Sequence, residues 1–130
     1  MTLVFLDADV VIGVLRANPK AQQLLRGLVS APDTELCMSV LQRSEVLFHL
    51  RPGEEVRTVD LLDSFRQYPV TQEVVDFAAP LFRRWNPSHG TGRNDALLAA
   101  TVLIEGGRLV TQNLRHFPMP ELHAERGWEE

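Results

Sequence analysis

Short apolar runs alternate with stretches of helical spacing along this chain. Leu3-Val4-Phe5-Leu6 is continuously apolar and is closed by Asp7, as in a strand buried on both faces. Val10 to Arg16 reads as a short helix. Asn18-Pro19 places a capping residue before a proline, the usual opening of another helix. Its apolar positions Ala21, Leu24, Leu25, Leu28 and Val29 recur at i, i+3, i+4, i+7 and i+8, so one face packs inward. A turn at Ala31-Pro32-Asp33 leads to a second strand over Glu35–Met38. Ser39 and Gln42 have the spacing of a capping box, opening a helix to about Leu50 that stops near Pro52-Gly53. A helix is expected from about Glu54 to Gln67, a third strand over Tyr68–Thr71, and a helix from Gln72 to Trp85 capped by Thr71. Asn86 to Gly92 reads as a loop.

Asn94 and Asp95 then open a helix that is apolar nearly all round, from Ala96 to Ile104, which places it centrally. Gly106-Gly107 ends it, and Arg108–Thr111 is a fourth strand. An edge strand and an acidic tail follow Pro118. Strands alternating with helices predict an α/β fold: a short, mostly parallel central sheet with helices on both faces, in one domain over 1–130. Phe77, Phe82 and Trp85, near helical spacing, are read as core rather than as a partner surface.

Composition narrows the function classes. Hydrophobic residues are 45% and charged residues 23% of 130, ordinary for a globular chain and unlike disorder. The single cysteine, Cys37, excludes an internal disulfide and a cysteine zinc site, and reads as a small buried hydrophobe. No apolar run reaches 18 residues and the N-terminus lacks a basic n-region, so a cytoplasmic protein without membrane contact is expected. A net charge of −4 argues against coating nucleic acid by bulk charge. Arginine supplies all but one of the 13 Lys and Arg residues, and Lys20 is the exception. Arginine's planar fork suits phosphate, although genomic bias produces the same composition.

The candidate chemistry is acidic. In an open parallel sheet, ligands sit beyond the carboxyl ends of the strands. Asp7 ends the first strand, Glu45 lies about two turns into the helix after the second, and Asp95 begins the helix before the fourth. If they converge, carboxylates about 5 Å apart repel by roughly 3 kcal/mol per pair at an effective dielectric near 20. Such a cluster persists if protonated or if it holds a cation, and an all-oxygen set selects a hard one, Mg²⁺ or Mn²⁺. Taken singly, Glu45 also reads as a solvated helix-face residue and Asp95 as a first-turn acid favoured by the helix dipole.

Four segments resemble one known family. Leu6-Asp7-Ala8-Asp9-Val10-Val11-Ile12 resembles the opening of PIN domains. Ser39 followed by Glu45-Val46 is similar to their second motif, Asp95-Ala96-Leu97-Leu98-Ala99-Ala100-Thr101 to the third, and Leu109-Val110-Thr111-Gln112-Asn113-Leu114-Arg115-His116-Phe117 to the fourth. Order, spacing and length are similar to the VapC toxin branch. The resemblance implies a PIN-like three-layer α/β/α sandwich and a metal-dependent endoribonuclease. It also implies a homodimer and a cognate VapB-like antitoxin. By motif, Asp7, Glu45 and Asp95 carry over as metal-binding acids, and Ser39 and Thr111 as hydroxyls that orient carboxylates or water. Asn113 and His116 stand where many relatives have Asp, which puts a second metal position in doubt. Asp9 replaces the more usual asparagine; water-mediated metal contact and a turn-forming role are both open. Arg83, Arg84 and Arg93 are candidates for RNA-backbone contact.

Two rival readings remain. Phe5-Leu6-Asp7-Ala8-Asp9-Val10-Val11 also resembles the first motif of haloacid-dehalogenase-like phosphatases, with Asp7 as nucleophile and Asp9 as acid/base. That chemistry uses a late lysine, whereas Lys20 is early. Alternatively, the acids are relics on a catalytically degenerate PIN-like binding module. Gly90-Thr91-Gly92 is not a phosphate loop, and His49, His89, His116 and His123 lack metal-ligand spacing.

Overall fold

The computed structural model describes residues 1–130. In chain order it has β1 (Thr2–Leu6), α1 (Ala8–Leu15), α2 (Pro19–Ser30), β2 (Thr34–Ser39), α3 (Val40–Leu47) and α4 (Glu55–Asp63). Then come β3 (Arg66–Tyr68), α5 (Gln72–His89), α6 (Arg93–Glu105), β4 (Arg108–Val110), a 3₁₀ turn (Leu114–His116) and β5 (Ala124–Glu125). The five strands form one sheet in the order β3-β2-β1-β4-β5, and every pairing is parallel. The sheet is thus parallel throughout.

Alternation along β1 sorts the two cores. Val4 and Leu6 face one way and pack with Val10, Val11, Leu15, Leu28, Val46 and Leu62 from α1–α4. Phe5 faces the other way, with Cys37, Tyr68 and Leu109 of the sheet and Leu98, Ala99 and Val102 of α6. Helix α5 packs on α6 through Val74 and Ala78 against Ala96 and Ala100. The result is a three-layer α/β/α sandwich, in which each fully buried large apolar side chain contributes roughly 1.5–3 kcal/mol. Cys37 is buried, as expected. Gly107 lets β4 approach β1, because a Cβ there would lie 2.8 Å from the Leu3 carbonyl oxygen.

Several boundaries differ from the sequence reading. Helix α1 starts at Ala8, not Val10, because the Asp7 carboxylate caps it. Ser39 caps α3 by accepting from the Leu41 N–H, but Gln42 does not reach back: it is buried and its Oε1 has no partner. Helix α3 ends at Leu47 rather than near Leu50. Helix α4 stops at Asp63 instead of reaching Gln67, whose Nε2 donates to the Leu62 and Phe65 carbonyls. Residues 66–68 are recruited as β3 beside Cys37–Ser39, and Pro69, without an N–H, ends a strand expected at 68–71. Helix α5 runs through Pro87 to His89, across part of the expected loop, and closes on Gly90 at φ +69°. Phe77 is 45% exposed, so it is not core, and Trp85 and Phe82 are only partly buried against the core.

Candidate active site

Strand order 3-2-1-4-5 reverses direction between β1 and β4, and the carboxyl ends flanking such a reversal form the crevice of open α/β sheets. Asp7 follows β1 and Thr111 follows β4 at that point. The Asp7 carboxylate is fixed on both sides: Oδ1 accepts from the Ala8 N–H at 2.8 Å and Oδ2 from the Thr111 hydroxyl at 2.8 Å. Thr111 Oγ1 in turn accepts from the Asn113 N–H at 3.0 Å. Asp7 is 8% exposed. Burial pushes its carboxyl up to about 7; the charges of Asp9 and Glu45 add to this, and the two hydrogen bonds oppose it.

Asp9 lies in the first turn of α1, where its Oδ2 accepts from the Gln112 N–H at 3.0 Å. Burial raises its pKa, and the charge of Asp95 adds to the rise. Glu45, on α3, accepts from Asn94 Nδ2 at 3.4 Å. Burial raises it too, with Asp95 and Asp9 adding and Asn94 and His49 opposing. Asp95 accepts from the Gly92 N–H at 2.8 Å, which caps α6, and stands 3.2 Å from His116 Nδ1. The four acids, drawn from three parts of the chain, therefore share one electrostatic neighbourhood. They are not closed up: no three His, Cys, Asp or Glu side chains stand together at metal-binding spacing.

Glu45, Gly92, Arg93, Asn94 and Asp95 line an open, wholly polar cleft of about 410 Å³. A separate groove of about 440 Å³, lined by Leu25, Leu28, Val29, Leu36, Leu61 and Phe65 among others, carries none of these acids. Of the three arginines singled out, Arg93 joins the cleft, whereas Arg83 and Arg84 are exposed on α5, with Arg84 over the Trp85 ring at 4.6 Å. Ser39 is buried and spends its hydroxyl on capping α3. Asn113 Nδ2 and His116 Nδ1 are 2.7 Å apart, and Thr91 donates to the His116 carbonyl at 2.8 Å. Lys20 Nζ donates to the Glu129 carbonyl, so the one lysine is engaged on the C-terminal segment. Asn94 and Gln112 belong to the site's hydrogen-bond frame but were not singled out from sequence. Asn94 was visible only as a helix opener, and nothing local marks Gln112.

The PIN domain family profile matches residues 4–120. The chain belongs to the PIN domain family. It is 36% identical over 121 residues to Ribonuclease VapC10 of Mycobacterium tuberculosis, covering 92% of this PIN domain chain and 89% of that protein. It is 33% identical over 119 residues to Ribonuclease VapC19 of the same organism, covering 90% and 94%. In fold, this PIN domain is similar to a toxin–antitoxin complex from Klebsiella pneumoniae, with TM-score 0.78, 20% identity, and coverage of 98% and 99%. It is also similar to FitAB bound to a DNA fragment, with TM-score 0.79, 20% identity, and coverage of 98% and 96%. Membership of this family leaves the phosphatase reading without support.

The donor set fits a hard divalent cation. Every candidate ligand is a carboxylate oxygen, Asp9 Oδ1 is buried with no partner, and neighbouring acid charges add to the raised pKa values of Asp7, Asp9 and Glu45. No helix is long and apolar enough to cross a membrane.

Proposed function

We propose that this chain is a divalent-cation-dependent endoribonuclease, the toxin of a toxin–antitoxin pair. It acts as one PIN unit over residues 1–130, on RNA in the cytoplasm. The observation that carries this reading is the buried Asp7 at the β1/β4 reversal, fixed by Thr111 and feeling the charges of Asp9 and Glu45, with Glu45 and Asp95 lining an open polar cleft. Asp7 and Asp95, with Glu45 completing the set, would hold the cation, Mg²⁺ or Mn²⁺. A bound cation supplies charge neutralisation on the phosphoryl oxygens and a lowered pKa for water.

The rest is the work of the side chains. Thr111 donates to Asp7 Oδ2 and fixes its carboxylate. Glu45, half-buried with its pKa raised by burial and by the charges of Asp95 and Asp9, ligates the cation or aligns the attacking water. Asn94 orients Glu45 through Oε1. Arg93 at the cleft rim contacts the RNA backbone; Arg83 and Arg84 serve a longer RNA across α5. The named relatives are ribonucleases and the structural neighbours include toxin–antitoxin complexes, which supports a VapB-like antitoxin and a homodimer for this chain.

The test is cleavage of a total-RNA pool by the purified protein in Mg²⁺ or Mn²⁺ and in EDTA. Cation-dependent cleavage that is lost in Asp7→Asn and Asp95→Asn supports the reading. A folded protein that binds RNA without cutting it in either ion establishes the degenerate binding module instead.

A further inference from the structure

Asp9 leaves the first turn of α1 two residues after Asp7. One of its oxygens is committed: Oδ2 accepts from the Gln112 N–H. That N–H is held in place, because the Gln112 side chain donates to the Trp128 carbonyl at 2.9 Å and accepts from the Gly127 and Trp128 N–H groups at 2.8 and 3.1 Å. The other oxygen, Oδ1, is buried and has no hydrogen-bond partner. A buried charged acceptor left unpaired is costly, and folded proteins retain one where something outside the chain satisfies it.

No basic side chain serves that oxygen. The arginine ion pairs go to Glu54, Asp63, Glu35 and Glu125. The charged groups that bear on Asp9 are other acids, and the Thr111 hydroxyl beside it already donates to Asp7. Amid carboxylates an unpaired oxygen is satisfied by a proton or by a cation, and a hard cation can serve several of these acids at once. Asn113, three residues past β4, brings no negative charge to the site; its Nδ2 lies 2.7 Å from His116 Nδ1 and its backbone N–H donates to Thr111.

We infer that Asp9, through Oδ1, is the fourth anionic donor to the cation held at Asp7, Glu45 and Asp95, directly or through one water of its shell. The inference rests on the nuclease reading above. It makes the third residue of the β1–α1 segment a cation-binding position in this chain, not only a turn former.

The test is isothermal titration of the full chain with Mn²⁺, comparing the native protein with Asp9→Asn and Asp9→Ser. Melting in EDTA establishes that each variant is folded. Asn keeps an acceptor for Gln112, and Ser removes the buried oxygen pair should Asn not fold. The expected result is at least a tenfold weaker Mn²⁺ affinity in each folded variant. Affinity within twofold of native in either one overturns the inference, since Oδ1 is then satisfied by water alone. If the native protein cleaves RNA and binds Mn²⁺ while the Asp9 variants bind equally well, only this inference fails. If the native protein binds no Mn²⁺, both readings fail.

Discussion

Replacing Asp7 with Asn is expected to stabilise the cation-free protein while removing its response to cation. The ordinary carboxyl value is 3.8 and the folded value is about 7, so folding holds the proton more tightly than the unfolded chain does. Below about pH 4 both states are protonated and nothing is lost. Between about 4 and 7 the unfolded chain has released its proton and the folded chain has not, so stability falls as pH rises, by about 1.4 kcal/mol per pH unit. Above about 7 the loss is complete, on the order of 4 kcal/mol. Asn has the same shape and no charge. Its Oδ1 keeps the Ala8 N–H, and its amide can donate to Thr111 Oγ1, which has two lone pairs.

The gain at pH 8 is therefore expected at roughly 2–4 kcal/mol, which at about 3–5 °C per kcal/mol raises Tm by roughly 10 °C. The assay is thermal melting in EDTA at pH 4, 6 and 8. The difference between variant and native should be near zero at pH 4 and grow with pH. On adding Mn²⁺ the native protein should rise and the variant should not. A Tm difference that is flat from pH 4 to 8 refutes the reasoning, because it means Asp7 is no harder to ionise in the fold than outside it.

Thr111→Val removes the donor to Asp7 and the acceptor for Asn113 N–H, and should cost roughly 1–3 kcal/mol in urea unfolding as well as weaken Mn²⁺ binding. Gly107→Ala places a Cβ 2.8 Å from the Leu3 carbonyl oxygen and should destabilise by roughly 1–3 kcal/mol; Gly27→Ala, with nothing within 4 Å and a helix interior around it, should stabilise by roughly 0.5–1 kcal/mol in the same measurement. Leu98→Ala, at 0% exposure in the core under α6, should cost roughly 2–5 kcal/mol. The buried Cys37 thiol, pushed up to about 11 by burial with the Glu35 charge adding, should resist a disulfide reagent at pH 8 until the protein is unfolded.

What the sequence by itself determined is what local periodicity and capping can encode. The run Leu3–Leu6, the i, i+3, i+4 stripe of α2 and the near-continuous apolar face of α6 each have one low-energy way to bury themselves, and all three form as read. The places of Asp7 at a strand end and Asp95 in a first helical turn were likewise legible from sequence. Only the tertiary structure decided the rest, because it depends on groups far apart in the chain. Strand β3 sits at Arg66–Tyr68 because β2 offers a free edge there, and nothing in residues 66–71 alone fixes that register. Helix α5 continues past Pro87 to His89 because Gly90 and the Asn86 bond to Thr91 close its end. Asn94 reaches Glu45 across 49 residues, and Gln112 reaches Asp9 across 103. Such pairings have no local signature: the fold brings the partners together first, and only then do burial and hydrogen bonding give each carboxylate its character.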